Sequence, residues 1–258
     1  MKLLPTHDST PTRSAHFLSA TAPVFASLSA INRKRISLSA SLFLFLWLVA
    51  SAFAAPYLQP GQVDGVALLP PPPAIDSAEQ VADLASARVV FKARTAAEET
   101  RSMKSATLSL FNFAPAIAPE FQPGKLPKME ALFERLKTNV REVIDIPKDH
   151  WQRKRPYQLD GELSLGNPEK SFSYPSGHAT YGVVQSLILA ELFPDKREAI
   201  LQIGRHIGWD RVLIGKHFPT DVYAGRVLGQ AIVRELKTSA DFRRDLAEAK
   251  AEADGVLK

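Results

Sequence analysis

The chain carries a histidine and an aspartate four residues apart, His217 and Asp221, and this spacing places both side chains on one helical face or turn. The carboxylate can then accept a hydrogen bond from one ring nitrogen and present the other nitrogen as a nucleophile. A second histidine, His178, closes the tetrapeptide Pro-Ser-Gly-His that begins at Pro175. These three groups predict a site in which one imidazole attacks and the other transfers a proton.

Three cationic side chains lie at defined separations from these groups. Lys148 is followed after six residues by the dipeptide Arg155-Pro156, and Arg211 is followed after five residues by His217. A guanidinium presents paired N–H groups that match the oxygens of a phosphate, and an ammonium adds a third positive charge. Because a phosphoryl group in transfer spreads its negative charge over its outer oxygens, these cations predict a phosphate-binding cradle.

The tetrapeptide also predicts backbone ligands for an anion. Ser176 and Gly177 follow Pro175 at the expected start of a helix, where unpaired N–H groups can bind an anion and glycine lets a phosphate approach the chain. Ser176 lacks the G-x-S-x-G surroundings of a nucleophilic serine. The pattern therefore predicts a metal-free site, without a cofactor, in which His217 is the nucleophile.

In this order the motifs resemble those of the bacterial class A non-specific acid phosphatases, within the wider superfamily of type 2 phosphatidic acid phosphatases and vanadium haloperoxidases. The signature of that family is K-x6-R-P, P-S-G-H and S-R-x5-H-x3-D. The apolar, proline-ended stretch at 66–73 is similar to its N-terminal proline strap. The resemblance covers roughly residues 64–237.

The resemblance implies an activity and a role for each site residue. His217 becomes a phosphohistidine, His178 is the general acid, and Asp221 orients His217. The family also implies an exported acid phosphatase that hydrolyses small organic phosphomonoesters and is inhibited by vanadate. The expected partner is a small phosphate ester, and the number of subunits stays open, a homo-oligomer included.

One residue departs from the family signature and opens alternatives. Asp210 stands where the family has serine before Arg211, and its carboxylate could pair with Arg211 or repel the substrate. His206 and Asp210 are also four residues apart, like the pair described first, so a non-catalytic divalent-metal site is one alternative. A vanadium-dependent haloperoxidase is the other, because vanadate resembles the transition state of phosphoryl transfer, although the chain is short for that group.

Other charges near the motifs are predicted to have no part in the site. Arg153 and Lys154 lie in a charged loop, and each is interpreted as a solvated cation. His150 and His206 match no position of the motifs and are interpreted as surface or interhelical residues.

The composition limits the classes of function. The 258 residues are 45% hydrophobic and 23% charged, which is typical of a globular protein. Residues 1–54 hold five basic side chains and one acid, so the net charge of +5 falls to +1 without them, and bulk charge predicts no nucleic-acid partner. The chain has no cysteine, which excludes disulfides, thiolate nucleophiles and cysteine-ligated metals.

The first 54 residues have the layout of a secretory signal. A basic cluster at 32–35 precedes an apolar stretch at 36–50 and the small residues Ala52 and Ala54, which satisfy an A-x-A cleavage pattern. The strongly apolar centre is shorter than the roughly 20 residues that span a bilayer, although a retained single-span anchor is an alternative. We expect residues 1–54 to be removed, and the mature protein to be periplasmic or secreted without stable membrane insertion.

Apolar residues recur at spacings of three and four in the rest of the chain, which predicts an all-α, single-domain helical bundle. We expect an extended proline-rich strap at 55–76, a catalytic helical domain at 77–237 and a charged, solvated C-terminal helix within 238–258. Ser77 and Gln80 form an S-x-x-Q capping box that predicts a helix start. Further helices are predicted over 95–113, 129–143, 179–192, 196–210 and 219–237, with an irregular segment at 147–175.

Overall fold

The computed structural model describes residues 55–257, and all regular secondary structure in that range is helical. The ten α-helices are α1 Gly65–Leu68, α2 Ala78–Ala93, α3 Ala96–Ser105, α4 Ala114–Ile117, α5 Pro127–Trp151, α6 Pro156–Leu159, α7 Gly177–Leu192, α8 Arg197–Leu213, α9 Pro219–Leu236 and α10 Ala240–Val256. The prediction of an all-α, single-domain fold is confirmed. None of the helices in this range has the length and hydropathy needed to cross a bilayer. The predicted signal, residues 1–54, lies outside the described residues.

Helix α7 packs against α8 and α9 along its length. It is apolar on most sides, and side chains such as Val184 and Ile188 are 1% exposed, which is typical of a helix in the core of a bundle. Helix α9 comes close to the start of α7 at Gly225. A Cβ there would lie 2.5 Å from the carbonyl oxygen of Ser176 and 2.9 Å from the Cβ of Ala179. Glycine at this position lets the two helices meet beside the Pro-Ser-Gly-His motif.

Helix α5 carries the predicted apolar stripe and is longer than predicted. It begins at Pro127, whose missing N–H is not needed in the first turn, and it ends at Trp151. Gln152 then turns the chain with a left-handed φ of 48°. The irregular segment therefore begins at residue 152 rather than 147. Pro147 lies inside the helix, where it removes one backbone hydrogen bond, and its ring packs beside Gly65 of α1.

The segment 95–113, predicted as one helix, is a helix followed by a separate turn. Helix α3 begins with a capping box between Thr95 and Glu98 and ends at Ser105. The chain then leaves the helical path before the 3-10 turn Leu110–Phe113. Both end residues of this turn are buried in the core, so tertiary packing overrides the local helical pattern.

The sequence predicts an extended strap at 55–76, but the strap also contains a single helical turn, α1. The Asp64 side chain accepts hydrogen bonds from two backbone N–H groups at 3.0 Å, and these stabilise the single turn of α1. The prolines at 70–73 follow without regular structure. Tyr57, near the start of the strap, is buried, and its N–H donates to the side chain of Asn139 on α5 (2.7 Å).

The C-terminal helix α10 is not solvated on every side, in contrast to the prediction. Phe242, Ala249 and Ala253 form a buried stripe, and α10 packs against α5. Asp245 accepts hydrogen bonds from Arg135 of α5 and from the Tyr57 hydroxyl, each at 2.7 Å. Because two members of the stripe are alanines, its hydropathy is low, and the sequence pattern resembles that of a solvated helix.

Candidate active site

His217 lies in the short connection between α8 and α9 and is 2% exposed. Its Nδ1 is 3.1 Å from Oδ2 of Asp221, which is fully buried in the first turn of α9. That oxygen also accepts hydrogen bonds from the Phe218 N–H (2.9 Å) and the Ser173 hydroxyl (2.5 Å). The fold thus brings together the two side chains that the four-residue spacing predicts to be paired, and it fixes the carboxylate from three sides.

The Arg211 carbonyl closes the backbone of this connection through two hydrogen bonds. The carbonyl oxygen of Arg211 accepts hydrogen bonds from the N–H groups of Lys216 (2.8 Å) and His217 (3.2 Å). Gly215, directly before Lys216, has a φ of 70°, and a Cβ on it would lie 1.8 Å from the Leu163 carbonyl oxygen. Only glycine satisfies both the left-handed backbone and this close approach. The loop between Arg211 and His217 therefore has a fixed length.

The second ring nitrogen of His217 faces a cation. Nη1 of Arg155 lies 3.2 Å from Nε2 of His217. A guanidinium only donates hydrogen bonds, so Nε2 carries the lone pair, and the proton on Nδ1 is donated to Asp221. Burial, followed by the charges of Arg155 and Lys148, lowers the pKa of His217 well below its usual value. The ring is therefore neutral, with its lone pair on the side of the cations.

Arg155 and Lys148 are both buried near this nitrogen. Arg155 donates to the backbone carbonyls of Lys216 (2.8 Å) and Ser171 (2.9 Å). Lys148, near the end of α5, donates to the carbonyl of Phe172. Burial, followed by repulsion from Arg155, lowers the pKa of Lys148 to about 7. The carbonyls that accept these hydrogen bonds are neutral, so Arg155 stays charged, and Lys148 is mainly charged below about pH 7.

The third predicted cation, Arg211, lies in the last turn of α8 and is 2% exposed. It forms an ion pair with Glu169 from the connection between α6 and α7. Burial is the main reason why the pKa of Arg211 falls to about 10, which still leaves it charged. Its Nε has no hydrogen-bond partner among the described residues. Sequence reasoning missed Glu169, because nothing in the spacing marks a carboxylate in that connection.

The predicted backbone nest at the start of α7 is displaced by one residue. The Ser176 N–H donates to the Asp221 carbonyl (3.0 Å), so it is not free for an anion. The Ser176 hydroxyl instead caps the helix by accepting a hydrogen bond from the Ala179 N–H (3.3 Å). Within residues 55–257, the N–H groups of Gly177 and His178 have no acceptor. Since a capped helix leaves its first N–H groups unpaired, these two are the ones that can bind an anion.

His178 also lies in the first turn of α7, where its Nε2 is 3.1 Å from the Ala106 carbonyl oxygen. A carbonyl only accepts, so Nε2 carries the proton and Nδ1 is the free nitrogen. Burial, followed by repulsion from Arg211, lowers the pKa of His178 to about 3. His178 is therefore neutral in the unliganded protein at neutral pH, and it must gain a proton on Nδ1 before it can act as an acid.

A cavity of about 580 Å³ opens at Lys148, Gly177 and His178, whereas His217 and Arg155 are not among the residues that line it. One end is lined by Lys148, Glu169, Gly177 and His178, and the wall beyond them includes the apolar side chains Leu110, Phe111, Phe133 and Ile144. Arg211 does not line the cavity, whereas its ion-pair partner Glu169 does. The volume accommodates a phosphate group together with a small organic substituent.

Comparison with known proteins identifies the family. The PAP2 superfamily model matches residues 138–245, a range that contains every site residue predicted from the sequence. A non-specific acid phosphatase of Providencia stuartii is 30% identical over 207 residues, which cover 76% of this chain and 84% of that protein. The chain belongs to the PAP2 superfamily, among the non-specific acid phosphatases. The family that the motifs predict is thereby confirmed.

Other PAP2 relatives match over different lengths. An acid phosphatase of Zymomonas mobilis is 35% identical over 151 residues, and the match spans 57% of that protein and 56% of this chain. A non-specific acid phosphatase of Salmonella typhimurium is 27% identical over 228 residues, covering 82% of this chain and 91% of that protein. Among solved structures, a transmembrane PAP2 type phosphatidylglycerolphosphate phosphatase from Bacillus subtilis is 20% identical, with a TM-score of 0.46 over 77% of this chain and 94% of that one.

Arg153 is the residue of this PAP2 site that sequence reasoning misjudged. The side chain predicted to be a solvated cation is 5% exposed. Its Nη1 donates to Oδ1 of Asp221 (2.6 Å), and its Nη2 donates to Asp83 (2.8 Å) and Gln80 (2.7 Å) of α2. Asp221 is therefore held between His217 on one side and Arg153 on the other.

A signal for this contact exists in α2 rather than in the charged loop. Gln80, Asp83 and Ala87 are the buried residues of α2, and their spacing of three and four places them on one face. Two polar residues on a buried face indicate a polar partner. The capping box predicted there is correspondingly half formed: Ser77 accepts a hydrogen bond from the Gln80 N–H (3.1 Å), while the Gln80 side chain binds Arg153.

Asp210 does not pair with Arg211, in contrast to one of the two outcomes considered for it. The carboxylate is buried and points to α3, where it accepts hydrogen bonds from Arg101 (2.8 Å and 3.0 Å) and from the Ser105 hydroxyl (2.8 Å). Consecutive residues of a helix point in directions about 100° apart, so Asp210 and Arg211 contact different neighbours. The residue that departs from the PAP2 acid-phosphatase signature connects α8 to α3.

The two histidine–aspartate pairs also do not converge on a common point. His217 and Asp221 bind each other, whereas Asp210 binds Arg101. In the part of the chain that the structure describes, no group of three His, Asp or Glu side chains is arranged to hold a metal ion. The alternative metal site, which would combine both histidine–aspartate pairs, is therefore not formed by these residues.

Proposed function

We propose that this PAP2 protein hydrolyses small phosphomonoesters through a covalent phosphohistidine on Nε2 of His217, without a metal ion. The observation that carries the proposal is the state of that ring. Asp221 keeps the proton on Nδ1, and Nε2 presents its lone pair beside Arg155. A neutral imidazole in this orientation is a nucleophile that needs no further base.

In the first half-reaction, the Nε2 lone pair attacks phosphorus and the bond from phosphorus to the leaving oxygen breaks. The ring of His217 becomes positively charged, and the carboxylate of Asp221 stabilises that charge through the Nδ1–H. The leaving oxygen takes a proton from Nδ1 of His178. The Ala106 carbonyl favours the protonated form of His178, because the Nε2–H of a charged ring is a stronger hydrogen-bond donor than that of a neutral one.

In the second half-reaction, the neutral His178 takes a proton from a water molecule whose oxygen attacks phosphorus. The bond between phosphorus and Nε2 of His217 breaks, and inorganic phosphate leaves. His178 is then protonated and His217 is neutral, which are the states that both histidines have at the start of the first half-reaction. One residue thus acts as an acid in the first step and as a base in the second.

Three cations and two N–H groups support this mechanism without a metal. In this proposal Lys148, Arg155 and Arg211 stabilise the negative charge on the outer oxygens, together with the N–H groups of Gly177 and His178. These side chains supply the positive charge that a divalent ion would supply, and they repel such an ion. We therefore expect turnover to be independent of added or bound metal.

We also propose that the protein is exported and that residues 1–54 are the signal. The basic cluster at 32–35, the apolar stretch at 36–50 and the alanines at 52 and 54 support this assignment. The mature chain would then consist of the strap at 55–76, the catalytic domain at 77–237 and the C-terminal helix at 238–258, located in the periplasm or outside the cell.

The experiment that tests the catalytic proposal is hydrolysis of p-nitrophenyl phosphate by the purified protein with and without EDTA. Activity that survives the chelator supports the cradle of cations, and activity that EDTA abolishes contradicts it. Orthovanadate should inhibit competitively, because it adopts the five-coordinate geometry of the transition state. Bromide oxidation that starts when vanadate is added would favour the haloperoxidase instead.

A further inference from the structure

A carboxylate lies inside the proposed phosphate cradle. Glu169 forms an ion pair with Arg211, a partner that the mechanism assigns to a phosphate oxygen. The Arg211 side chain is 2% exposed, whereas the Glu169 side chain is 33% exposed and lines the cavity. The carboxylate of Glu169 therefore lies between the open cavity and the guanidinium.

The surroundings of Glu169 are those expected for the phosphate itself. Its negative charge acts on four cations from different parts of the fold, namely Lys148 of α5, Arg155 at the start of α6, Arg211 of α8, and Lys216 of the connection that follows. Its backbone is fixed, because the Glu169 N–H donates to the Tyr157 hydroxyl (3.0 Å). Neither half-reaction proposed above uses a carboxylate at this position.

Resting on the proposed function, we propose that Glu169 competes with the phosphate group for Arg211 and thereby sets the affinity of the site for phosphate. A phosphoryl oxygen binds Arg211 only after the bond to Glu169 is broken, so the free energy of this ion pair is subtracted from that of binding. The same competition acts on the product: when the carboxylate returns to Arg211, inorganic phosphate loses a ligand. Glu169 is thus a residue that weakens ground-state binding and favours release.

Calorimetric titration with inorganic phosphate and with orthovanadate tests this proposal, because neither probe requires turnover. Glu169→Gln removes the negative charge and keeps the shape, and it should lower the Kd of both anions by about tenfold, the change that corresponds to about 1.4 kcal/mol. Glu162→Gln is the matched control. Glu162 lies in the same connection, but its partner is the exposed Lys92 of α2. The Glu162→Gln variant should therefore bind both anions with the Kd of the unaltered chain.

The outcomes separate this proposal from the one on which it rests. Suppose that the unaltered chain hydrolyses phosphate esters and binds phosphate, and that Glu169→Gln leaves the Kd equal or raises it. This result overturns the competition alone and makes Glu169 a positioning residue for Arg211. An unaltered chain that binds neither anion overturns the cradle and the competition together. Glu169→Ala is the second variant if the glutamine variant fails to fold, and steady-state kinetics should show a lower KM in either one.

Discussion

The two histidines of the site differ in which ring nitrogen is free. Asp221 holds the proton of His217 on Nδ1, and the Ala106 carbonyl holds the proton of His178 on Nε2. His217 therefore keeps a lone pair on the side of the cations, whereas His178 has to collect a proton before it can donate one. This difference, rather than the presence of two imidazoles, is the basis on which we propose His217 as the nucleophile and His178 as the acid.

Replacing each histidine by alanine should have different consequences for different esters. His217→Ala removes the covalent route, so all substrates should lose activity together and no acid-labile phosphoenzyme should be trapped from labelled substrate. His178→Ala should slow an alkyl ester such as glycerol phosphate by about a hundredfold to ten-thousandfold, because its alkoxide needs a proton. Hydrolysis of p-nitrophenyl phosphate should be affected far less, since the phenolate leaves as a stable anion.

Trapping the phosphoenzyme provides the check on this assignment. The His178 variant should still form phosphohistidine from the aryl ester. Equal losses on both esters would contradict the role of His178 as acid, and phosphohistidine in the His217 variant would contradict the role of His217. His206 would then be the next histidine to replace.

The low pKa of His178 predicts an acid pH dependence. Burial and the charge of Arg211 hold this pKa at about 3, against a usual value of 6.5. The protonated form therefore increases steadily as the pH falls from about 6.5 towards 3, and it is this form that donates. The kcat/KM for glycerol phosphate should rise through this window, and the His178→Ala variant should lack that rise. A flat profile for the unaltered enzyme between these limits would contradict the prediction.

Arg153→Met should lower both stability and turnover. The change leaves Asp221 and Asp83 buried without their cation, and breaking a buried ion pair in this way costs about 3–5 kcal/mol. Thermal unfolding and the kcat on an aryl ester measure the two effects. Lys154→Met is the matched control, because that neighbour is exposed. Equal Tm values for the two variants would show that the Arg153 contacts contribute nothing.

What could be predicted at this scale depends on spacing. The charges of Arg155, Lys148 and Arg211 all lower the pKa of His217, so the three cations of the motifs lie near this ring, while their roles toward a phosphate stay a prediction. Arg153 could not be distinguished from Lys154 by the charge of their shared loop, because burial of one and exposure of the other depend on α2, which lies about 70 residues earlier in the chain. Glu169 is a similar case, since its contact is made with a distant helix.

At the scale of elements, the site depends on the junction of α7 with α9. The Ser176 N–H donates to the Asp221 carbonyl, so the first turns of the two helices are joined by a backbone hydrogen bond. Gly225 allows this approach, because no side chain separates α9 from the carbonyl of Ser176. The N–H groups of the phosphate nest and the carboxylate beside His217 are therefore positioned by one helix contact.

Gly225→Ala should push the two helices apart. The added Cβ would lie within 3 Å of two atoms of α7, and overpacking of this kind costs about 1–3 kcal/mol. Thermal unfolding should show the loss of stability, and kcat should fall because the N–H groups of Gly177 and His178 move away from the His217–Asp221 pair. Gly255→Ala in α10 serves as control, since nothing lies within 4 Å of its added methyl and the change should be neutral or slightly stabilising. Identical unfolding of both variants would rule out the steric account.

Elements with a strong apolar stripe were predictable, and those defined by packing were not. Helices α7, α8 and α9 lie where their spacings of three and four indicate, because burial of that stripe is what forms them. The end of α3 at Ser105 was missed, since the residues beyond it have helical character and leave the helix only because the core takes Leu110 and Phe113. The alanine stripe of α10 was missed for lack of hydropathy.

At the scale of the whole molecule, the strap connects distant parts of the bundle. Tyr57 binds Asn139 of α5 and Asp245 of α10, and further along, the Pro70 carbonyl accepts a hydrogen bond from the Tyr174 hydroxyl (2.6 Å). Tyr174 directly precedes the Pro-Ser-Gly-His motif. The start of the proposed mature chain is thus part of the folded core and not a free tail.

Intact mass of the exported protein should place its first residue at Ala55 or one position to either side. The A-x-A pattern at 52–54 specifies this cleavage, and it leaves the whole strap in place. Mass spectrometry of the periplasmic or culture fraction is the measurement. A membrane-bound product that keeps residues 36–50 would show instead that the segment is an anchor.

The Arg211 carbonyl, which closes the loop from Arg211 to His217, limits how the length of this loop can change over evolution. The same oxygen accepts both closing hydrogen bonds, and Gly215 lies so close to the Leu163 carbonyl that no side chain fits there. One inserted residue would lengthen the chain there by up to about 3.5 Å, so the hydrogen bonds from Lys216 and His217 to the Arg211 carbonyl could not both form as they do here. Substitutions at the other positions of this interval can accumulate, but a change of Gly215, an insertion or a deletion should be purged, so the length of the interval should outlast most of the residue identities within it.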